Sequence, residues 1–194
     1  KKIGLPINKF IVATNQNDIL HRAITNGAYN VESVLETISP SMDIQIASNF
    51  ERLIFDLNNH NDKKTINVMK SIKEKGKYEI QKEFLDKINV DFLSSRMDEN
   101  EVLNTIKSVY EKFDKVLDPH SAIGYGAFDK VNLKGNNIVL ATAHPCKFPG
   151  AIEKAINIKA ELPRELGYIL NEKENYDIID YNLNKIKQHI KERI

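Results

Sequence analysis

Two short apolar runs do most to restrict what this chain can fold into, Phe10-Ile11-Val12-Ala13 and Ile138-Val139-Leu140-Ala141. Neither has a helical period, and both are shorter than an ordinary helix. Such runs fit strands buried on both faces, as in a parallel sheet covered by helices. Each closes on polar residues: Thr14-Asn15-Gln16-Asn17-Asp18 after the first, Thr142-Ala143-His144-Pro145-Cys146-Lys147 after the second. Ligands in open α/β sheets collect at the carboxyl ends of strands. Both ends are therefore expected to open onto the same face of one sheet.

Helical signals fill most of the rest. A short helical segment is expected from the first polar turn to Gly27, and Asn30–Ala47 has no clear period and reads as loop. Ser48 and Glu51 have capping-box spacing, with Phe50, Leu53, Ile54 and Leu57 on one face behind them. A helix over Asp62–Lys75 should stop at Gly76, and a third spans Glu79–Ile88 with Ile80, Phe84, Leu85 and Ile88 inward. A short strand follows at Asp91–Ser94. Asp98 and Glu101 repeat the capping-box spacing ahead of a stripe of Val102, Ile106, Val109 and Phe113.

Asp118-Pro119 starts a new helix, with proline at its first position. The small residues of Ser121-Ala122-Ile123-Gly124-Tyr125-Gly126-Ala127 predict close packing against a sheet. Further helices are expected over Pro149–Ile156 and, rich in lysine, over Asp180–Ile194. The expected class is α/β, helix-rich, with a mainly parallel sheet flanked by helices. Residues 1–194 form one region in this reading, with a helical tail from about residue 160.

The charge balance excludes some partners. With 28 Lys plus Arg against 27 Asp plus Glu, the formal charge of +1 leaves no footprint for nucleic acid or an anionic membrane. No apolar stretch is long enough to span a bilayer. Cys146 is the 1 cysteine, which excludes an internal disulfide and suits a reducing compartment, so a cytoplasmic location is expected. Lys1-Lys2-Ile3-Gly4 reads as a helix end with its glycine cap. The strands are too few for a complete doubly wound domain, so the chain is expected to be a portion of a longer protein.

The junction from Thr142 to Lys147 joins a hydroxyl, an imidazole and an ammonium ahead of a helix start, a set suited to a phosphorylated small molecule. Capping alone accounts for Ser48 and Glu51 but not for Asn49 and Arg52. Arg52 has the fork to clamp a phosphate or carboxylate, and a surface ion pair is the competing reading. Asn15, Asn17 and Asp18 suit either a ligand or ordinary turn and N-cap chemistry, and Asp43 sits in a loop. No metal-ligand set is expected.

Six segments, in order, resemble threonine synthases of the longer, bacterial and fungal kind. They are Gly4-Leu5-Pro6-Ile7, Ala13-Thr14-Asn15-Gln16-Asn17-Asp18, Ser39-Pro40-Ser41-Met42-Asp43-Ile44, Ser48-Asn49-Phe50-Glu51-Arg52-Leu53, Asp118-Pro119-His120-Ser121-Ala122 and Ala141-Thr142-Ala143-His144-Pro145-Cys146-Lys147-Phe148. The resemblance implies the C-terminal part of the large domain of a pyridoxal-phosphate enzyme with the tryptophan-synthase-β-like fold. The implied reaction converts O-phospho-L-homoserine and water into L-threonine and phosphate. The family's Schiff-base lysine and its glycine-rich phosphate loop precede the segment matching Gly4-Leu5-Pro6. No catalytic residue is therefore assigned here, and the chain's implied partner is the missing N-terminal part of the same protein.

By the same resemblance Thr142 matches the hydroxyl residue that meets the cofactor's pyridine nitrogen. Asp118 stands where related enzymes place an acidic residue near the ring, with His120 beside it. His144, Lys147, Asn49, Arg52, Asn15 and Asp18 are candidates for substrate contacts. Cys146 falls where the family often has alanine and reads as a small packed residue. Alternatives are a non-catalytic α/β ligand-binding module and another enzyme of the same fold, such as a dehydratase.

Overall fold

A computed structural model describes all of residues 1–194. The chain falls into two compact units, Lys1–Glu161 and Leu162–Ile194. In the first, strand β1 (Phe10–Thr14) leads into helix α1 (Ile19–Asn26), strand β2 (Ala28–Asn30), helix α2 (Phe50–Leu57) and helix α3 (Asp62–Lys75). Strand β3 (Lys77–Glu79), helix α4 (Lys82–Asp91), strand β4 (Phe92–Arg96), and helices α5 (Glu99–Phe113), α6 (Pro119–Val131) and α7 (Pro149–Ile156) follow.

β1 and β4 run parallel, in register from Phe10 opposite Phe92 to Thr14 opposite Arg96. The two phenylalanine rings stack with centroids 5.3 Å apart. β2 and β3 form a separate antiparallel pair centred on Tyr29 and Tyr78. The fold is thus a helix-rich α/β arrangement with a parallel pair at its centre.

Two cores flank that pair. One gathers Ile19, Ala23, Ile24, Tyr29, Phe50, Ile54, Ile72 and Ile88 from α1 to α4. The other joins Met97, Val102, Ile106, Ala122, Ile123 and Ile152 beneath α5, α6 and α7. Between them α6 packs on β1 and β4, as its small residues predicted. A Cβ on Gly126 would overlap Met97 Sδ, and one on Gly124 would lie 3.2 Å from Val139.

Local signals set most helix ends. α3 ends at Gly76 in the left-handed conformation with φ 66°, which glycine adopts without strain. At the start of α5, Asp98 Oδ1 accepts the Glu101 N–H at 2.9 Å while Glu101 Oε2 accepts the Asp98 N–H at 2.9 Å. Asp98→Ala removes one side of that box and is expected to cost about 1 kcal/mol. Chemical denaturation checks this, and an unchanged midpoint and slope would mean that α5 starts equally well without the cap.

Several expectations fail. Ile138–Ala141 is not a strand, so the two runs do not end on one sheet. A strand needs a hydrogen-bonding neighbour, and none borders this segment. Instead Val139 lies against Gly124 while Ile138 and Leu140 stand 89% and 74% exposed. Phe10–Ala13 is half-buried, since β4 is its one strand neighbour.

The Ser48–Glu51 box does not form. Asn49 is already helical, and the backbone carbonyls of Ala47, Ser48 and Asn49 take the N–H groups of Phe50, Glu51 and Arg52, leaving no need of a side-chain cap. The third helix starts later than expected, at Lys82, because Lys77–Glu79 pairs with β2.

The second unit holds a 3-10 segment, Arg164–Asn171, and helix α8 (Leu183–Lys191), capped by Asn182. Within it Asp177 accepts from Arg193 at 2.7 Å. No helix of the protein is long and apolar enough to cross a membrane.

Candidate functional site

The start of α6 is where the candidate residues converge most tightly. Proline at the first helical position leaves Asp118 as N-cap, and its Oδ1 accepts the His120 backbone N–H at 3.0 Å. The same oxygen meets His120 Nδ1 at 3.0 Å, and Oδ2 accepts the Ser121 hydroxyl. His120 Nε2 in turn accepts the Ser41 N–H at 3.2 Å. That pattern is the neutral imidazole with its proton on Nδ1. The His120 ring also packs against Phe148, with centroids 4.8 Å apart.

Ser121 carries this cluster outward. Its Oγ accepts the Thr142 backbone N–H at 3.0 Å and lies 3.4 Å from Thr142 Oγ1. Thr142 itself is an exposed residue. Asp118 is 1% exposed with its carboxylate oxygens occupied. It is linked to Thr142 through Ser121.

A second network begins at the end of β1. Asn15 Nδ2 lies 2.9 Å from Thr37 Oγ1, 3.0 Å from Ser39 Oγ and 2.7 Å from Asp43 Oδ1. Asn17 exchanges bonds of 2.8 Å with the Leu35 backbone in both directions. Asp43 Oδ2 accepts the Thr37 N–H at 2.8 Å. These residues tie the 35–43 loop to the strand end, and through Ser41 that loop touches His120. Asp18 is taken up otherwise, paired with Arg22 at 2.8 Å and Arg96 at 3.2 Å.

The remaining candidates stand apart. Asn49 and Arg52 line an open depression of about 540 Å³ beside α2, with Phe55, Asp56 and His60. His144 borders another of about 440 Å³, with Val116, Ile152 and Lys159. Its Nδ1 accepts the Cys146 N–H at 3.2 Å, capping the 3-10 turn Pro145–Lys147. Lys147 is exposed on that turn, and Cys146 is half-buried. No cluster of His, Cys, Asp and Glu suits a metal ion.

Ser121 is the residue that sequence reasoning missed. Its spacing three residues after the cap, facing back along the first helical turn, was the available signal. What gave no signal was the distant Thr142 amide that it receives.

The chain as a whole is similar to known proteins. A family profile described as threonine synthase, C-terminal, matches residues 121–190. The threonine synthase of Pseudomonas aeruginosa is 36% identical over 98% of this chain, and that of Saccharomyces cerevisiae 35% identical over all of it. The crystal structure of a pyridoxal-phosphate-bound threonine synthase from Brucella melitensis superposes with a TM-score of 0.85 at 38% identity, over 98% of this chain and 41% of that one. The chain spans 41% and 43% of the length of the Pseudomonas and yeast proteins.

Proposed function

We propose that the chain is a member of the threonine synthase family and forms the C-terminal part of a pyridoxal-phosphate enzyme making L-threonine and phosphate from O-phospho-L-homoserine and water. The observation that carries this reading is the exposed Thr142, its backbone N–H held by Ser121 at the start of α6, in a chain similar over 98% of its length to a cofactor-bound threonine synthase. The lysine and phosphate loop that hold the cofactor would come from the preceding segment that the relatives possess.

The residues present fit the cofactor. Thr142 offers a neutral hydroxyl to the pyridine nitrogen, and the Asp118 carboxylate is wholly enclosed, so no bare negative charge competes there. When bound, pyridoxal phosphate supplies an electron sink for a carbanion on the substrate. The chain's own residues bind and orient. Thr142 would hold the ring edge, and its backbone N–H is bonded to Ser121.

Lys147 supplies positive charge suited to a phosphate beside the start of α7, where Pro149 has no N–H and the Ala151 N–H bonds the Phe148 carbonyl, which leaves the Gly150 N–H as donor. His144 stands beside them with Nε2 outward, since Nδ1 is used in the cap. Arg52 and Asn49 are exposed on α2 and serve the substrate in this reading if the preceding segment closes over them.

The test is phosphate release and threonine formation by the chain joined to its upstream segment. The 194 residues alone should show neither, since in this reading the lysine that holds the cofactor lies in the preceding segment. Thr142→Val removes one hydrogen bond worth about 0.5–1.5 kcal/mol, so turnover should fall roughly two- to tenfold. Stability should hardly change, because Thr142 is exposed. Unchanged turnover with an unchanged cofactor spectrum would remove Thr142 from the site.

A further inference from the structure

The imidazole of His120 does more than the start of α6 requires. Asp118 already caps the helix by accepting the His120 backbone N–H at 3.0 Å, and that bond needs no side chain on residue 120. Yet the ring is 5% exposed and engaged on three sides. Nδ1 meets Asp118 Oδ1 at 3.0 Å, and Nε2 accepts the Ser41 N–H at 3.2 Å, from a residue 79 positions away in the chain. That N–H heads the 3-10 turn Pro40–Met42, whose own bonds begin with the Met42 N–H, so the turn offers it no acceptor. The ring face meets Phe148, with centroids 4.8 Å apart.

Phe148 closes the Pro145–Lys147 turn by giving its N–H to the Pro145 carbonyl, and its own carbonyl accepts the Ala151 and Ile152 N–H groups at the start of α7. The imidazole therefore stands between two turns far apart in sequence. One is tied to Asn15 through Ser39, and the other carries the exposed Lys147. With both nitrogens bonded, the ring cannot turn about its Cβ–Cγ bond without losing a partner, so Phe148 meets it in one orientation.

We propose that His120 is a positioning residue that seats the Pro145–Lys147 turn and so places the Lys147 ammonium for the phosphate of the substrate. Asp118 orients the ring, Ser41 holds its far end, and Phe148 takes its place against the face. The inference rests on the reading that Lys147 meets that phosphate.

Three variants of the complete enzyme, the chain joined to its upstream segment, separate the contacts. His120→Phe keeps a ring against Phe148 and loses both nitrogen bonds. His120→Gln keeps an acceptor within reach of the Ser41 N–H and loses the ring. Phe148→Leu removes the ring contact from the other side and leaves His120 intact, so a failure of either His120 variant to fold does not end the test. Each should raise KM for O-phospho-L-homoserine and weaken inhibition by inorganic phosphate about tenfold, with kcat changed less than about twofold. Amide exchange at Ser41 should quicken in His120→Phe and stay near the unmodified rate in His120→Gln.

Lys147→Met supplies the reference. If it raises KM while the other variants leave KM unmoved or lower only kcat, the proposal is overturned and the reading of Lys147 stands. If Lys147→Met leaves both KM and phosphate inhibition unmoved, that reading fails and this inference with it.

Discussion

Asn15→Ala should release the 35–43 loop from the end of β1 and destabilise the protein by about 2–4 kcal/mol. Asn15 is 2% exposed, and its Nδ2 reaches Thr37, Ser39 and Asp43 together. Each net hydrogen bond is worth about 0.5–1.5 kcal/mol, and a buried group left without its partner costs more. Asp43 would keep its bonds from Thr37 and from Asn17 Nδ2 but lose the Asn15 donor. Ser41 would follow, and with it the N–H that fixes the His120 tautomer. Denaturant melts give the stability, and limited proteolysis should find new cleavage within residues 35–43. Wild-type resistance in that loop would show that the backbone bonds of Leu35 with Asn17 hold it without help.

Ile123→Ala should cost about 2–5 kcal/mol, the range for deleting a buried isoleucine side chain in a close-packed core. Ile123 is 0% exposed among Met97, Val102, Ile106, Ala122 and Ile152. The upper half of the range is expected, since α6 is wedged between β1, β4 and α5 and has little freedom to collapse into the void. Asp118 and Ser121 sit at the start of the same helix, so in the chain joined to its upstream segment the proposed activity should fall before the protein unfolds. Thermal melts and turnover measured side by side check this. A loss below about 1 kcal/mol would mean that α6 shifts to refill the space.

What the sequence determined by itself was local. The ends of α3, α5, α6 and α7 follow from a glycine, a capping box and N-terminal prolines, because these act over one helical turn. The polar stretches at Asn15–Asp18 and Asp118–Ser121, and the exposed Thr142 and Lys147, were legible as residues with chemistry in them. Their roles were not. Asp118 has the same cap whether or not it serves a ligand, and only the fold brings Thr142 over Ser121 and turns the carboxylate inward. Asn15 reads as turn chemistry until the 35–43 loop is folded against it.

Tertiary structure alone decided which apolar run became a strand. Phe10–Thr14 and Ile138–Ala141 look alike in composition, but the first finds β4 alongside and the second lies over Gly124 with no neighbour. A strand is defined by hydrogen bonds to another segment, and no property of the segment itself supplies them.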